Sequence, residues 1–180
     1  MLQAAGVDRI ITMDLHADQI QGFFKVPLDH LFGSSLFMPY IRSLDIPTED
    51  ILFASPDLGG SRRAGMYAKT LGNSFVICYK QRNKPNEIGI MKLIGDVKDK
   101  HVILLDDIID TAGTICEASK LLKSKGAKAV YVGATHAVFS GPAIERLKNA
   151  PIEECVVTNT IPWKKEDLPS NVRQLSVAPL

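Results

Sequence analysis

Several features that would decide the class of a protein at once are missing here, and each absence excludes something. There is no excess of charge of one sign: 21 basic and 20 acidic side chains give a formal net charge of +1. Bulk electrostatic attraction to nucleic acid or to an anionic membrane is therefore not expected. No uninterrupted apolar stretch approaches the roughly 18 residues of a membrane span, and the opening MLQAAGVDRI lacks the basic flank and long apolar centre of a secretory leader. Cys78, Cys116 and Cys155 form no CxxC pair, which suits neither a disulfide framework nor a structural zinc site. A reducing, cytoplasmic setting is the expectation. Fixed short repeats, low-complexity tracts and Pro/Ser-rich linkers are also lacking. What remains is a chain of 180 residues, 46% hydrophobic and 23% charged, with a mean hydropathy of +0.05. That is the composition of a globular α/β domain with a core of its own.

Apolar runs alternate along the chain with stretches of helical periodicity. A strand is expected over Arg9–Met13, running into a loop that carries Asp14, His16 and Asp18. After the loop segment GFFKVPLDHLFGSS, Ser34 or Ser35 can cap a helix with Leu36, Tyr40, Ile41 and Leu44 on one face. The strand ILFAS, the loop PDLGGSR and a helix with Ala64, Tyr67, Ala68 and Leu71 at i, i+3, i+4, i+7 follow, ended by Gly72. Next comes FVICYK and then a long polar segment from Gln81 to about Lys100, read as a loop that contains the short apolar alternation IGIMKLIG. Structureless segments of this length are usually functional or disordered. HVILLDD, the loop IIDTAGT and a helix ended by Gly126 form the clearest unit, and AVYVGATH, a helix opened by Gly141 and Pro142, and ECVVTN continue the alternation. The pattern implies a mostly parallel sheet with helices on both faces and ligands beyond the carboxyl ends of the strands. Residues up to about 30 can belong to a different sheet from the rest.

One run concentrates chemistry. In VILLDDIIDTAGT, apolar residues drive a strand that delivers Asp106 and Asp107 to its end, and Asp110, Thr111, Ala112, Gly113 and Thr114 turn into a helix. Unpaired amides at a helix N-terminus attract a phosphate, small residues let it approach, and the threonine hydroxyls add hydrogen bonds. Adjacent carboxylates suit vicinal sugar hydroxyls or hydrated Mg²⁺. Neither GxxxxGK[ST] nor GxGxxG occurs, which removes the main support for ordinary nucleotide-binding readings.

This run resembles the phosphoribosyl pyrophosphate motif shared by type I phosphoribosyltransferases and the ribose-phosphate pyrophosphokinases (phosphoribosyl pyrophosphate synthetases). DLHADQIQGFF, SPDLGGSRRA and THAVFSGPA resemble the synthetases closely, and the likeness runs from about Gly6 to Leu180. It implies a type I phosphoribosyltransferase-like fold and transfer of pyrophosphate from Mg-ATP to C1 of ribose 5-phosphate, giving phosphoribosyl pyrophosphate and AMP. It further implies Mg²⁺ held with help from His16 and Asp57, a catalytic Lys80, and Arg82 as a catalytic and ribose 5-phosphate-binding arginine. Asp106, Asp107 and Asp110 to Thr114, with Ala112 and Gly113 between, become the ribose 5-phosphate site. Here the sequence reads Lys80-Gln81-Arg82 where many members have Lys-Arg-Arg, so one positive charge is removed. Read without the resemblance, His16 suits a surface histidine, KQRNK a solvated basic loop and Arg63 a helix-surface ion pair. Family members are longer, homo-oligomeric and cytoplasmic, so residues 1–32 are expected to be the end of a truncated N-terminal unit. Residues 33–180 then form the C-terminal unit, short of its last helix. The other readings are a type I phosphoribosyltransferase and a non-catalytic synthetase-associated subunit. None of the readings needs a nucleic-acid or membrane partner.

Overall fold

The computed structural model describes residues 1–81 and 90–180. Two sheets organise them. β1 (Ile10–Met13) and β2 (Leu28–Leu31) pair in parallel as a two-stranded sheet of their own, so the early residues do stand apart from the main sheet. That main sheet has seven strands, with β3 (Ile51–Ser55), β4 (Phe75–Gln81), β5 (Ile90–Ile94), β6 (His101–Ile109), β7 (Ala129–Ala137), β8 (Glu154–Thr158) and β9 (Val172–Leu175) in the order β5-β4-β3-β6-β7-β8-β9. Every neighbouring pair is parallel except β4 with β5. The central strands are buried on both faces, which is why they read as near-continuous apolar runs.

Side chains alternate across each strand and so divide the core in two. On one face Val102 and Leu104 meet Ile115, Ala118 and Leu122 of α3 (Gly113–Ser124) and Leu147 of α4 (Ala143–Asn149). On the other, Ile103 and Leu105 meet Phe37 and Ile41 of α1 (Ser34–Ser43) and Ala64 and Tyr67 of α2 (Ser61–Leu71). Helices thus cover both faces, as the alternation implies. Gly72 closes α2 at φ 74°, the left-handed conformation that favours glycine at a helix end.

Three expectations are corrected. The segment from Gln81 to about Lys100 is not one loop: IMKLI forms β5, antiparallel to β4 with Gln81 opposite Ile90 and Ile77 opposite Ile94. Met91 and Leu93 turn to the core while Ile90 and Ile94 stay exposed, and polar flanks masked that period of two. Arg82, and the rest of 82–89, lie outside the described residues. The segment GFFKVPLDHLFGSS contains β2, and β9 extends the sheet beyond β8. Finally, neither Ser34 nor Ser35 caps α1. Gly33 is its N-cap, no cap side chain bonds there, and Asp14 Oδ2, far back in the chain, accepts the Gly33 amide at 3.0 Å.

Candidate active site at the strand ends

β6 carries Asp106 and Asp107 within its length and runs on to Ile109 before the loop to α3. Successive side chains on a strand diverge, and Asp107 takes the side covered by α2. There its Oδ2 lies 2.8 Å from His16 Nδ1 and 3.7 Å from Arg63 Nη2. Its Oδ1 accepts the Ile108 amide, and Asp106 Oδ1 accepts the Asp107 amide. Burial pushes the Asp106 carboxyl well above the usual carboxylate range, with the nearby charges of Asp107 and Asp57 adding to the effect. Asp107 is also penalised by burial, yet the hydrogen bonds of Asp106 and His16 and the Arg63 guanidinium hold its carboxyl below the ordinary value. His16 is correspondingly raised, first by its hydrogen bond to Asp107 and then by that residue's charge.

Arg63 reaches the other way as well, placing Nη1 3.6 Å from Asp14 Oδ1. Asp14 is buried, with a φ of 39°, and its Oδ2 accepts both the Gly33 amide and the Thr135 hydroxyl. The loop around it is pinned by histidines: His30 Nε2 accepts the Leu15 amide at 3.1 Å, and His136 Nε2 lies 2.9 Å from the Met13 carbonyl. Because a carbonyl can only accept, His136 Nε2 donates to it, and Nδ1 lies 2.9 Å from Thr160 Oγ1. His30 and His136 are therefore structural. The chain from Asp14 through Arg63 to Asp107 and His16 joins the small sheet, α2 and β6 into one charged cluster. It borders a cleft of about 460 Å³ lined by His16, Asp18, Phe32, Gly60, Arg63 and Tyr67 among others.

Asp57 stands in the turn between β3 and α2, where its Oδ1 accepts the Gly60 amide at 2.8 Å and its carbonyl accepts the Ser55 hydroxyl. Among the described residues nothing joins Asp57 directly to His16, and no three His, Cys, Asp or Glu side chains converge as a metal cage. Mg²⁺ does not need such a cage, because it keeps waters and takes one or two carboxylates plus substrate phosphates. The Asp57 Oδ2, which the Gly60 amide leaves free, and the His16 ring are groups of the kind that fits that habit.

At the end of β6, Ala112 adopts φ 59°, ψ 9° as the N-cap of α3, with Gly113 and Thr114 opening the helix. Among the described residues, the amides of Thr111 to Ile115 donate to no acceptor, as expected of a helix start left free for an anion. Lys80, at the end of β4, places Nζ 3.1 Å from Glu117 Oε2 on the second turn of α3. The structure thus gathers His16, Asp106 and Asp107 in one cluster, and sets Lys80 beside α3, which the Asp110–Thr114 loop opens. Sequence alone missed Asp14 and Thr135 as organisers and left Arg63, which fits the family's GGxxRA pattern, equally well explained by a helix-surface ion pair; the side chain is only 24% exposed. The SRRA start of α2 was the one available signal.

Residues 60–177 match the family model described as the phosphoribosyl synthetase-associated domain. The ribose-phosphate pyrophosphokinase of Porphyromonas gingivalis is 53% identical over 180 residues, which is 100% of this chain and 56% of that protein. The crystal structure of phosphoribosylpyrophosphate synthetase from Mycobacterium smegmatis superposes with a TM-score of 0.90 at 42% identity, covering 99% of this chain and 57% of that one. Purine phosphoribosyltransferase from Pyrococcus horikoshii superposes at 0.51 with 16% identity, over 94% of this chain and 87% of its own, a likeness of fold alone. The chain spans about half the length of the curated relatives it matches. With an α/β sheet of this order and two thirds of its length under one family model, the chain belongs to the phosphoribosyl synthetase-associated domain family.

Proposed function

We propose that the chain supplies the ribose 5-phosphate site and the catalytic lysine of a ribose-phosphate diphosphokinase, which transfers pyrophosphate from Mg-ATP to the C1 hydroxyl of ribose 5-phosphate. The carrying observation is the open row of amides from Thr111 to Ile115 directly after a strand that holds Asp106 and Asp107. A phosphate fits the amides and the carboxylates suit the ribose hydroxyls. The C1 oxygen attacks the β-phosphorus of ATP, the bond to the oxygen bridging to the α-phosphorus breaks, and AMP leaves. Such transfers need alignment and positive charge against developing negative charge rather than covalent help.

On this reading Asp110, Thr111, Ala112, Gly113 and Thr114 hold the 5-phosphate, and ionised Asp107 with Asp106 orients the sugar. Lys80, held toward α3 by its ion pair with Glu117, meets the reacting phosphates, and Arg82 shares that role. When bound, Mg²⁺ supplies charge neutralisation on the triphosphate, with His16 and Asp57 as its protein neighbours. Residues 33–180 form the sugar-phosphate unit and 1–32 an adjoining piece, within a cytoplasmic homo-oligomer acting on ATP and ribose 5-phosphate. The family description also admits a non-catalytic associated subunit; the presence of Lys80 and of an open phosphate loop favours the catalytic reading.

Two measurements test it. Titration calorimetry of ribose 5-phosphate into the chain should show binding that Asp110→Ala and Thr114→Ala weaken, and wild-type affinity in both variants would remove the phosphate-loop assignment. In an assay of AMP formation, Lys80→Ala should cut turnover about a hundredfold or more with little change in ribose 5-phosphate affinity. Unchanged turnover would refute the role given to Lys80. Consumption of phosphoribosyl pyrophosphate with a base would mark a phosphoribosyltransferase instead.

A further inference from the structure

A loop that turns its amides toward an anion must turn its carbonyls away, and those carbonyls need donors of their own. From Ile109 to Ala112 each one has a partner. The Ile109 carbonyl accepts the Val138 and Phe139 amides at 3.0 and 3.1 Å, and the Asp110 carbonyl accepts the Ser140 amide at 3.0 Å. The Thr111 carbonyl accepts Arg146 Nη1 at 2.9 Å, and the Ala112 carbonyl accepts the Cys116 amide at 3.0 Å. Ser140 adds its hydroxyl to Asp110 Oδ1. Apart from Cys116, these donors come from the turn between β7 and α4, where Val138, Phe139 and Ser140 have had no role so far, and from Arg146 of α4.

The bracing has strain to hold. Ala112 at φ 59° is a left-handed non-glycine residue, a conformation unfavourable for a residue with a Cβ, and it persists only where its surroundings fix it. Phe139 is also left-handed at φ 48°, yet buried, with its ring 5.6 Å from that of Trp163. Arg146 is the one cation in this brace. Its Nη1 lies 3.4 Å from where a Cβ on Gly113 would stand, so the guanidinium rests against the first turn of α3.

We propose that Arg146 is a positioning residue of the ribose 5-phosphate site. With Ser140 it clamps the carbonyl side of the Asp110–Thr114 loop, so that the amide side is preformed, and it sets a positive charge beside the bound phosphate. The inference rests on the reading of this loop as the 5-phosphate site.

Calorimetric titration of ribose 5-phosphate into the chain, paired with amide exchange of the segment 110–117 by mass spectrometry, tests it. Arg146→Ala should weaken binding about tenfold, close to 1.4 kcal/mol, and speed exchange in that segment severalfold. Arg146→Lys, which keeps a charged donor, should recover most of both losses. Ser140→Ala should weaken binding about threefold through the same loop. Wild-type affinity and exchange in Arg146→Ala, or a loss that lysine does not restore, would overturn the proposal. If the wild-type chain binds no ribose 5-phosphate while exchange still responds to Arg146→Ala, the phosphate-site reading fails and the clamp itself stands.

Discussion

Replacing Gly33 with alanine tests the joint that ties the small sheet to the site. Gly33 has φ −59° and ψ −19°, so alanine meets no backbone penalty and would even gain slightly through the unfolded state. Space is the difficulty. A Cβ there would stand 2.6 Å from Asp14 Oδ2, 2.7 Å from Thr135 Oγ1 and 3.1 Å from Phe37 Cε2. None of these atoms is the free end of a flexible chain: Asp14 and Thr135 are buried and bonded to each other, and Phe37 sits in the core. Overpacking of this kind costs about 1–3 kcal/mol. Driving the Asp14 carboxylate off the Gly33 amide and the Thr135 hydroxyl leaves buried groups unsatisfied, for about 1–3 kcal/mol more. A total near 4 kcal/mol in a chain of this size lowers the melting midpoint by on the order of 10 °C. Scanning calorimetry of Gly33→Ala beside Gly22→Ala, whose Cβ would meet nothing within 4 Å, makes the comparison. A Gly33→Ala midpoint within about 2 °C of wild type would refute the reasoning. Because Arg63 bridges Asp14 to Asp107, the same variant should also lose ribose 5-phosphate affinity.

Two other perturbations have defined signs. The Asp106 carboxyl is raised chiefly by burial, so the folded chain holds that proton more tightly than the unfolded one. Stability should therefore fall as pH climbs from the ordinary aspartate value of about 3.9 through the raised one. Asp106→Asn should then melt higher than wild type at pH 8 but by little at pH 4; a constant difference across the range would contradict the assignment. Glu117→Gln frees Lys80 from a partly exposed pair of 3.1 Å, worth about 0.2–1 kcal/mol. ATP binding at low salt should tighten up to about fivefold, an effect that high salt abolishes and that disappears in a Lys80→Met background. An equal gain with or without Lys80 would show bulk repulsion instead.

The sheet and the turn from Asp110 into α3 were legible because their signals are local. Val102 to Leu105 run unbroken into two acids and a small-residue turn, and Leu122 and Gly126 mark the helix behind them. β5 was hidden because a period of two over IMKLI is brief and sits among charged residues, and β2 and β9 are four residues each, too short to stand out. The charged cluster was illegible for another reason. Asp14, Arg63, Asp107 and Thr135 are far apart in the chain, and only the tertiary packing of the small sheet and α2 against β6 and β7 brings them together. The cap of α1 shows the same limit, since two serines stand ready locally and a carboxylate from β1's end does the bonding. Asp57 could be placed in its turn from PDLGG, but not the commitment of one of its oxygens to Gly60.

The single tryptophan gives this molecule a built-in optical reporter. Trp163 donates its indole N–H to the Ala137 carbonyl at 2.8 Å and packs on Phe139, one residue before the serine that grips Asp110. With no second indole to dilute the signal, its emission follows the polarity and quenching around that turn alone. Filling or loosening of the neighbouring anion loop becomes readable in unlabelled protein, with light.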